Sequence, residues 1–284
     1  MELKKINLIS VLGPTAGGKT GFSAQLAIKL NGEIISADSR QVYRKMDIGT
    51  GKDLSDYIIE GKKIPYHLID IADPGYEYNV FEFQRDFIDA YKDICKRKKL
   101  AILCGGTGMY IESVLDSYRL IRVPLNQILR NSLSEKSMEE LEAILNSYKT
   151  PHNQTDTDSR KRITRAIEIS EYYTNKSETQ IEFPELNYII IGIKNDRQTQ
   201  RRRITERLDY RLKNGMIDEV KGLLDSGVAP DKLIFYGLEY KFLTWYIKGE
   251  IDYDTLFQKL NTAIHQFAKR QMTWFRKMER NGIK

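Results

Sequence analysis

The chain has 284 residues, of which 41% are hydrophobic and 30% charged, and its 45 basic and 39 acidic residues give a net charge of +6. This length suits one large domain or a core domain that carries a smaller one, and the composition is ordinary for a globular protein. The two cysteines form no C-x-x-C pair, the three histidines lie far apart, and no apolar stretch is long enough to cross a bilayer, so we expect a cytoplasmic protein without a zinc site, a disulfide framework or a membrane partner.

The first half of the chain alternates predicted strands with predicted helices. Short runs of consecutive hydrophobic residues predict buried strands, and hydrophobic residues at intervals of three or four predict helices. In chain order these patterns predict strand Ile6–Leu12, helix Thr20–Leu30, strand Glu33–Ala37, strand Tyr66–Ile71, a helix from Asn79, and strand Leu100–Leu103. This alternation is typical of an α/β fold with a P-loop NTPase-like parallel sheet flanked by helices. Ligands of such sheets bind beyond the carboxyl ends of the strands. The loops Gly13–Thr20, Asp38–Gln41 and Gly105–Thr107 should therefore meet in one cleft.

The second half is predicted to be mostly helical and basic. Residues 121–158 are polar and contain one helical stretch, Met138–Tyr148, which indicates a small helical insertion into a core formed by 1–120 and 159–284. A basic helix follows from Arg160, and Tyr188–Ile193 is the last predicted strand. The helical C-terminal part is predicted to contain four helices, Arg197–Lys213, Met216–Leu224, Tyr236–Ile247 and Asp254–Met278.

A phosphate-binding motif stands between the first strand and the first helix. The pattern G-x-x-x-x-G-K-[ST] is met by Gly13, Pro14, Thr15, Ala16, Gly17, Gly18, Lys19 and Thr20. Glycines let backbone N–H groups turn toward phosphate oxygens, and the helix N-terminus adds positive charge. Lys19 supplies a full charge, and the Thr20 hydroxyl is a candidate Mg²⁺ ligand. Any diphosphate or triphosphate, ATP included, would satisfy this motif, and kinases and NTPases are its largest class.

The second loop carries an acidic residue at the end of a strand. Asp38 in such a position could be a helix cap, a Mg²⁺ ligand or a general base that accepts a proton from an incoming nucleophile. Its predicted place opposite the phosphate-binding loop makes the last role chemically reasonable.

Several separate motifs together resemble the bacterial tRNA dimethylallyltransferases. They occur in the same order along nearly the whole chain: Gly13–Thr20, Ile35–Tyr43, Met46–Thr50, His67–Asp70, Gly105–Tyr110, Arg162–Glu168 and Phe267–Arg276. The resemblance implies transfer of the dimethylallyl group from dimethylallyl diphosphate to N6 of the adenosine 3′-adjacent to the anticodon, in tRNAs that read codons beginning with U. It implies that the P-loop holds the diphosphate of this donor together with Mg²⁺, in place of ATP.

The resemblance also assigns roles to individual residues. It implies Asp38 as the general base on the adenine amine and Thr107 near the reacting groups. We expect the protein to be a monomer. The resemblance also implies which residues contact the anticodon stem-loop of the tRNA: Asp38, Ser39, Arg40, Gln41, Thr107, Arg130, Lys161, Arg162, Arg165, Lys269, Arg270, Gln271 and Arg276.

Two features of the basic half have more than one interpretation. The set Arg201–Arg203, Arg207 and Arg211 forms one predicted helix face, which could contact RNA phosphates or simply face solvent. Trp274 could stack on an unpaired base or belong to the core at helical spacing.

The sequence departs from the family pattern at three places. The insertion over 121–158 is short and poorly matched. The segment Gln154–Asp158 differs from the family's usual lead into the basic helix, and Glu239 stands where a basic residue is usual. A reversed charge beside RNA phosphates would weaken binding. Three alternatives therefore stay open: an adenylate isopentenyltransferase acting on free AMP, ADP or ATP, a P-loop small-molecule kinase, and a non-enzymatic RNA-binding protein.

Overall fold

The computed structural model describes residues 5–118, 120–148, 157–175 and 182–283. The chain divides into two compact units. The first contains Met1–Tyr118 and Phe183–Lys284, and the second contains Arg119–Glu182.

A parallel sheet forms the centre of the first unit. The strands along the chain are β1 (Leu8–Leu12), β2 (Gly32–Ala37), β3 (Ile58–Ile59), β4 (Lys62–Lys63), β5 (Tyr66–His67), β6 (Leu100–Gly105) and β7 (Tyr188–Gly192). Five of them pair in the order β5–β2–β6–β1–β7, and every pairing is parallel. The short β3 and β4 form a separate antiparallel pair. Every residue of β1 and β2 is buried, as expected for strands covered on both faces.

Helices account for most of the remaining described residues. They are α1 (Lys19–Leu30), α2 (Val80–Lys96), α3 (Gly108–Leu115), α4 (Gln127–Leu133), α5 (Met138–Tyr148), α6 (Arg160–Asn175), α7 (Arg197–Lys213), α8 (Met216–Asp225), α9 (Pro230–Phe235), α10 (Leu238–Ile247) and α11 (Tyr253–Arg280). In the part of the chain that is described, none of them is both long enough and apolar enough to cross a membrane.

The alternation of side chains along β1 places a separate core on each face of the sheet. Leu8 and Leu12 belong to a cluster with α2, α3 and the end of α11, where Phe83 is fully buried. Ile9 and Val11 point to the other cluster, which α1 covers. A third cluster is formed by the C-terminal helices α7–α11 together with residues 42–46. Helix α11 contributes to both the first and the third cluster.

Local backbone geometry explains two differences from the predicted elements. The strand predicted over Tyr66–Ile71 ends at His67, because Leu68 and Asp70 adopt positive φ angles of 62° and 57° that no strand contains. The helix predicted over Tyr236–Ile247 begins at Leu238, because Gly237 has a φ of 135° and separates α9 from α10. Helices α3, α4 and α9 were not predicted.

The second unit is a small helical body. Helices α4, α5 and α6 bury Leu133, Leu141, Leu145, Ile163 and Ile167 in a common core. The insertion predicted from sequence ends at residue 158, whereas this unit continues to Glu182, because α6 buries its apolar side chains within it. Residues 154–156, part of the segment that departs from the family pattern, lie outside the described residues.

A buried lysine holds the long loop that follows β2. The Lys52 amine donates to the backbone oxygen of Tyr43 at 2.8 Å, to Asp47 at 2.7 Å and to Asp70 at 2.5 Å. Its side chain is completely buried, so these three acceptors replace its water. The loop is thereby tied to the segment that follows β5.

The same loop is fixed to the C-terminal helices by a carboxylate. Glu219 of α8 accepts three backbone hydrogen bonds, from Asp47 at 2.8 Å, Ile48 at 2.6 Å and Gly49 at 3.0 Å. It also accepts the Tyr240 hydroxyl at 2.7 Å. Hydrogen bonds to a charged acceptor are the stronger ones in proteins, so this contact fixes the loop firmly.

Candidate active site

Three loops meet at one edge of the sheet. They follow β1, β2 and β6, which are neighbours in the sheet, with Gly105 opposite both Leu12 and Ala37. The Thr107 N–H donates to the backbone oxygen of Ala37 at 3.3 Å, which ties two of the loops directly. The cleft expected from the strand order is therefore present in the structure.

The P-loop between β1 and α1 is shaped for an anion. Gly18 has a φ of 89°, a left-handed conformation that favours glycine, and it caps the N-terminus of α1. The Lys19 amine donates to the backbone oxygen of Pro14 at 2.8 Å, so it lies across the loop. Burial lowers the pKa of Lys19. Loop amides, a helix N-terminus and a half-buried amine are the groups with which P-loops generally bind phosphate oxygens.

Thr15, near the tip of the P-loop, is held on three sides. Its N–H donates to Gln271 at 2.8 Å, and its backbone oxygen accepts Gln200 at 2.6 Å. Its hydroxyl accepts the Arg207 guanidinium at 2.5 Å. Side chains from α7 and α11 therefore add to the bonds within the P-loop that fix its conformation.

Asp38 and Thr107 are brought together at the second and third loops. The Thr107 hydroxyl accepts the Ser39 N–H at 3.1 Å and donates to the Ser39 hydroxyl at 3.4 Å. One oxygen of Asp38 accepts the Arg40 N–H at 2.9 Å. The structure thus places both residues predicted to act in catalysis beside Ser39, with Asp38 close enough to Lys19 to affect its pKa.

The side chains of Arg40 and Gln41 form hydrogen bonds with other residues of the protein. Arg40 donates to the backbone oxygen of Phe235 at 3.2 Å, and its guanidinium lies 5.5 Å from the centre of that residue's ring. Gln41 donates to the backbone oxygen of Gly51 at 3.2 Å and accepts the Ser36 hydroxyl at 3.1 Å. Both side chains are half-buried and support the loop around Asp38.

One face of α7 adds positive charge to the cleft. Arg203, Arg207 and Arg211 follow each other at four-residue spacing, which places them on the same side of the helix. Arg203 lies beside Gly18, and Arg211 pairs with Asp53 at 2.8 Å. Burial, with Arg211 nearby, lowers the pKa of Arg207 to about 10.

The sequence interpretation missed this division of the arginines on α7. It grouped Arg207 and Arg211 with Arg201 and Arg202, whereas the structure turns the latter two toward a groove of about 530 Å³ that His265 also lines. The four-residue spacing was the signal that could have separated the two sets. Gln200, which bonds Thr15, was missed as well.

Glu239 lies among the charges of the cleft. Burial raises its pKa, and the positive charges of Arg207 and Arg211 partly offset that rise. The acidic residue that departs from the family pattern is therefore close to two buried or half-buried cations.

Comparison with known proteins assigns the family. The profile of the family described as IPP transferase matches residues 41–278. The chain belongs to the IPP transferase family. Among curated relatives, this IPP transferase is 63% identical to tRNA dimethylallyltransferase 2 of Bacteroides fragilis strain YCH46, over 100% of the chain and 92% of the relative. It is 59% identical to tRNA dimethylallyltransferase 2 of Phocaeicola vulgatus, over 99% of the chain and 92% of the relative.

Solved structures confirm the predicted fold of the transferase. The tRNA isopentenylpyrophosphate transferase of Bacillus halodurans superposes with a TM-score of 0.68 at 32% identity, covering 96% of this chain and 87% of the other. A eukaryotic dimethylallyltransferase acting on tRNA gives a TM-score of 0.73 at 24% identity, covering 95% and 70%. The predicted family and enzyme class, a prenyltransferase, are confirmed as well.

Two side chains beside the P-loop carry oxygen atoms of the kind that hard divalent cations prefer. Among the described residues, no cluster of three or more histidine, cysteine, aspartate or glutamate side chains forms a ready-made metal site. Thr20 lies in the first turn of α1, after β1, and Asp38 directly follows β2, with β6 between these two strands. They offer a hydroxyl and a carboxylate at the same edge of the sheet, and oxygen donors suit Mg²⁺. Such a cation would draw most of its ligands from the diphosphate and water, as in other P-loop proteins.

The predicted RNA-binding residues of α11 fall into two groups. Lys269, Arg270 and Arg276 are exposed. Gln271 is 8% exposed; its amide oxygen accepts the Thr15 N–H of the P-loop, and its amide nitrogen donates to Gly106 in the loop after β6. The RNA contact that the resemblance implies for Gln271 stays a prediction. Trp274 packs against the sheet core, in agreement with the core interpretation.

The predicted RNA-binding residues of the second unit also divide. Arg130 donates two hydrogen bonds to the buried carboxylate of Glu168, and Arg165 pairs with the same group. Burial alone would raise the pKa of Glu168, but the hydrogen bonds outweigh it and the pKa is lowered. These two arginines therefore neutralise a buried charge of the transferase, whereas Lys161 and Arg162 are exposed.

Proposed function

We propose that this transferase moves the dimethylallyl group from dimethylallyl diphosphate to N6 of the adenosine 3′-adjacent to the anticodon, in tRNAs that read codons beginning with U. The bond between the allylic carbon and the diphosphate oxygen breaks, and a bond between that carbon and N6 forms. Diphosphate leaves with the bonding electrons, and N6 loses one proton.

The P-loop is proposed to bind the leaving group. The breaking bond places additional negative charge on the diphosphate, so positive groups fixed in advance lower the barrier. Lys19 and Arg207 are both half-buried at this loop, and α1 begins at the loop with its positively polarised N-terminus. Mg²⁺, when bound through Thr20, would neutralise part of the diphosphate charge.

Asp38 is proposed to orient and deprotonate the adenine amine. An exocyclic amine is a weak nucleophile, and a fixed carboxylate that accepts its proton contributes roughly 10²–10⁴-fold to the rate. Thr107, which bonds Ser39 next to Asp38, holds this loop against the loop after β6. The target adenosine would leave its stack to reach the cleft, as in other enzymes that modify bases.

The exposed cations Lys269, Arg270 and Arg276 of α11, with Lys161 and Arg162 of the second unit, are proposed to contact the RNA backbone. Phosphate contacts of this kind set affinity and orientation but carry no sequence information. Selection of the adenosine would then depend on the cleft itself.

The observation that carries the proposal is the placement of Asp38 opposite the P-loop. Asp38 follows β2 and the P-loop follows β1, with β6 between these strands, and the Thr107 N–H after β6 donates to the backbone oxygen of Ala37 directly before Asp38. The candidate base and the proposed diphosphate loop therefore lie at the same edge of the sheet. Relatives named tRNA dimethylallyltransferase over the full chain support the choice of donor and acceptor.

Labelled dimethylallyl diphosphate tests the reaction. The protein is incubated with it and Mg²⁺, and with tRNA, AMP or ATP as the acceptor. We expect label in tRNA alone. Label in AMP or ATP alone would indicate an adenylate isopentenyltransferase, and consumption of ATP without prenyl transfer would indicate a kinase.

Altered tRNA transcripts test which adenosine is modified. A tRNA that reads a U-starting codon is compared with a copy whose adenosine 3′-adjacent to the anticodon is replaced by guanosine, which has no N6 amine. We expect label in the first and none in the second. Equal label in both would place the modification at another adenosine.

A further inference from the structure

The side chain of Gln271 joins two loops of the cleft. Its Oε1 accepts the Thr15 N–H of the P-loop at 2.8 Å, and its Nε2 donates to the backbone oxygen of Gly106 at 2.8 Å. An amide side chain has one accepting end and one donating end, and here each end bonds a different loop. Because Gln271 is 8% exposed, water hardly competes for either bond.

The loop after β6 is built for a close approach of α11. A Cβ on Gly106 would lie 2.4 Å from the Gln271 Nε2, and a Cβ on Gly108 would lie 2.3 Å from Trp274. A side chain at Gly108 would collide with the Trp274 ring, and one at Gly106 would displace the Gln271 amide from its hydrogen bonds. The neighbouring α11 residues Ala268 and Phe275 are buried in two different core clusters, which makes this part of the helix a fixed support.

We infer that Gln271 is a positioning residue that sets the separation between the diphosphate loop and the loop carrying Thr107. The inference rests on the proposed function, in which the P-loop binds the donor and Thr107 holds the Asp38 loop that orients the acceptor. A displacement of reacting groups by about 1 Å costs roughly 10²-fold in rate. Gln271 therefore acts through the loops and has no need to touch RNA.

A matched pair of substitutions separates this role from simple stability. Gln271→Met removes both hydrogen bonds and keeps a side chain of similar length. Gln84→Met is the control, because Gln84 is 1% exposed and likewise donates two backbone hydrogen bonds, to Ser113 at 2.9 Å and Tyr118 at 2.8 Å. Gln271→Glu is a further variant that keeps the acceptor for Thr15 and loses the donor to Gly106.

Kinetics on the folded fraction give the first measurement. We expect Gln271→Met to lower the single-turnover rate by roughly 10²-fold, with affinity for inorganic pyrophosphate within about threefold of wild type. Gln271→Glu should also be slow, and Gln84→Met should keep the wild-type rate. Equal rates in Gln271→Met and Gln84→Met would overturn the inference.

Hydrogen exchange gives a second measurement that needs no prenyl transfer. Pyrophosphate added to wild type should slow amide exchange in residues 105–108 as well as in the P-loop, because Gln271 links them. In Gln271→Met the slowing should be confined to the P-loop, and Gln84→Met should behave as wild type. Slowing at 105–108 that survives in Gln271→Met would refute the link, whereas a wild type that transfers no label to tRNA while showing the linked slowing would refute the proposed function alone.

Discussion

The Arg207 guanidinium donates a hydrogen bond to the hydroxyl of Thr15, with the two atoms 2.5 Å apart. The contact brings a cation of α7 to the tip of the P-loop, although the two residues are 192 positions apart in the chain. Burial lowers the pKa of Arg207 to about 10, so it remains charged at neutral pH. Positive charge at the P-loop is thus supplied both by Lys19 of the loop and by a helix that is distant from it in sequence.

Arg207→Met should weaken binding of inorganic pyrophosphate roughly 10–100-fold, since a hydrogen bond to a charged group contributes about 1.5–3 kcal/mol. Titration calorimetry measures the affinity. Arg202→Met is the control, because Arg202 is on the same helix with its side chain 66% exposed. Equal affinities in the two variants would remove Arg207 from the diphosphate site.

Asp38→Asn should lower the single-turnover rate of transfer to tRNA by roughly 10²–10⁴-fold while pyrophosphate affinity changes little. The amide oxygen can still accept the Arg40 N–H, so the loop should keep its shape. Asp73→Asn, at an exposed aspartate that pairs with Arg44 on the surface, is the control. Loss of pyrophosphate binding in Asp38→Asn would instead assign Asp38 to the metal or to the structure.

Glu239→Gln should make stability less dependent on pH. Burial raises the pKa of Glu239 above its usual 4.5, so between the two pKa values the folded protein holds a proton that the unfolded chain lacks. Stability from this group is therefore lost as the pH rises through that window. We expect Glu239→Gln to unfold at a higher temperature than wild type at neutral pH and at the same temperature below the usual pKa. A lower unfolding temperature at neutral pH would show that pairing with Arg207 and Arg211 outweighs burial.

The same variant should also bind pyrophosphate more tightly at neutral pH, by about fivefold, because a negative charge near the diphosphate is removed. The gain should shrink as the pH falls and wild-type Glu239 takes up its proton. Affinity that is unchanged at every pH would place Glu239 outside the field of the bound diphosphate.

Lys52→Met should lower the free energy of unfolding by about 2 kcal/mol, because two carboxylates and a backbone oxygen lose a buried cationic partner. Denaturation by urea measures it. Lys45→Met is the control, at an exposed lysine of the same loop. If both variants are equally stable, the loop after β2 is fixed by Glu219 alone.

Local signals predicted the first half of the fold well. The hydrophobic runs of β1, β2 and β6 and the N-cap Asn79 of α2 all depend on neighbouring residues, and each lies close to its predicted place. Long-range effects explain the misses. The extent of the second unit depends on the burial of Ile163 and Ile167 by α4 and α5. A local sequence pattern does not show which distant helices bury these two residues.

The sequence by itself predicted the P-loop between β1 and α1, because the glycines, Lys19 and Thr20 of the motif lie within a few consecutive residues. It also indicated the strand-end position of Asp38 and the family. Only the tertiary structure decided which distant side chains complete the cleft. Gln200, Arg207, Glu239 and Gln271 reach it from α7, α10 and α11. Their roles follow from packing between helices and the sheet, and the periodicity of a helix shows which residues share a face but not what that face contacts.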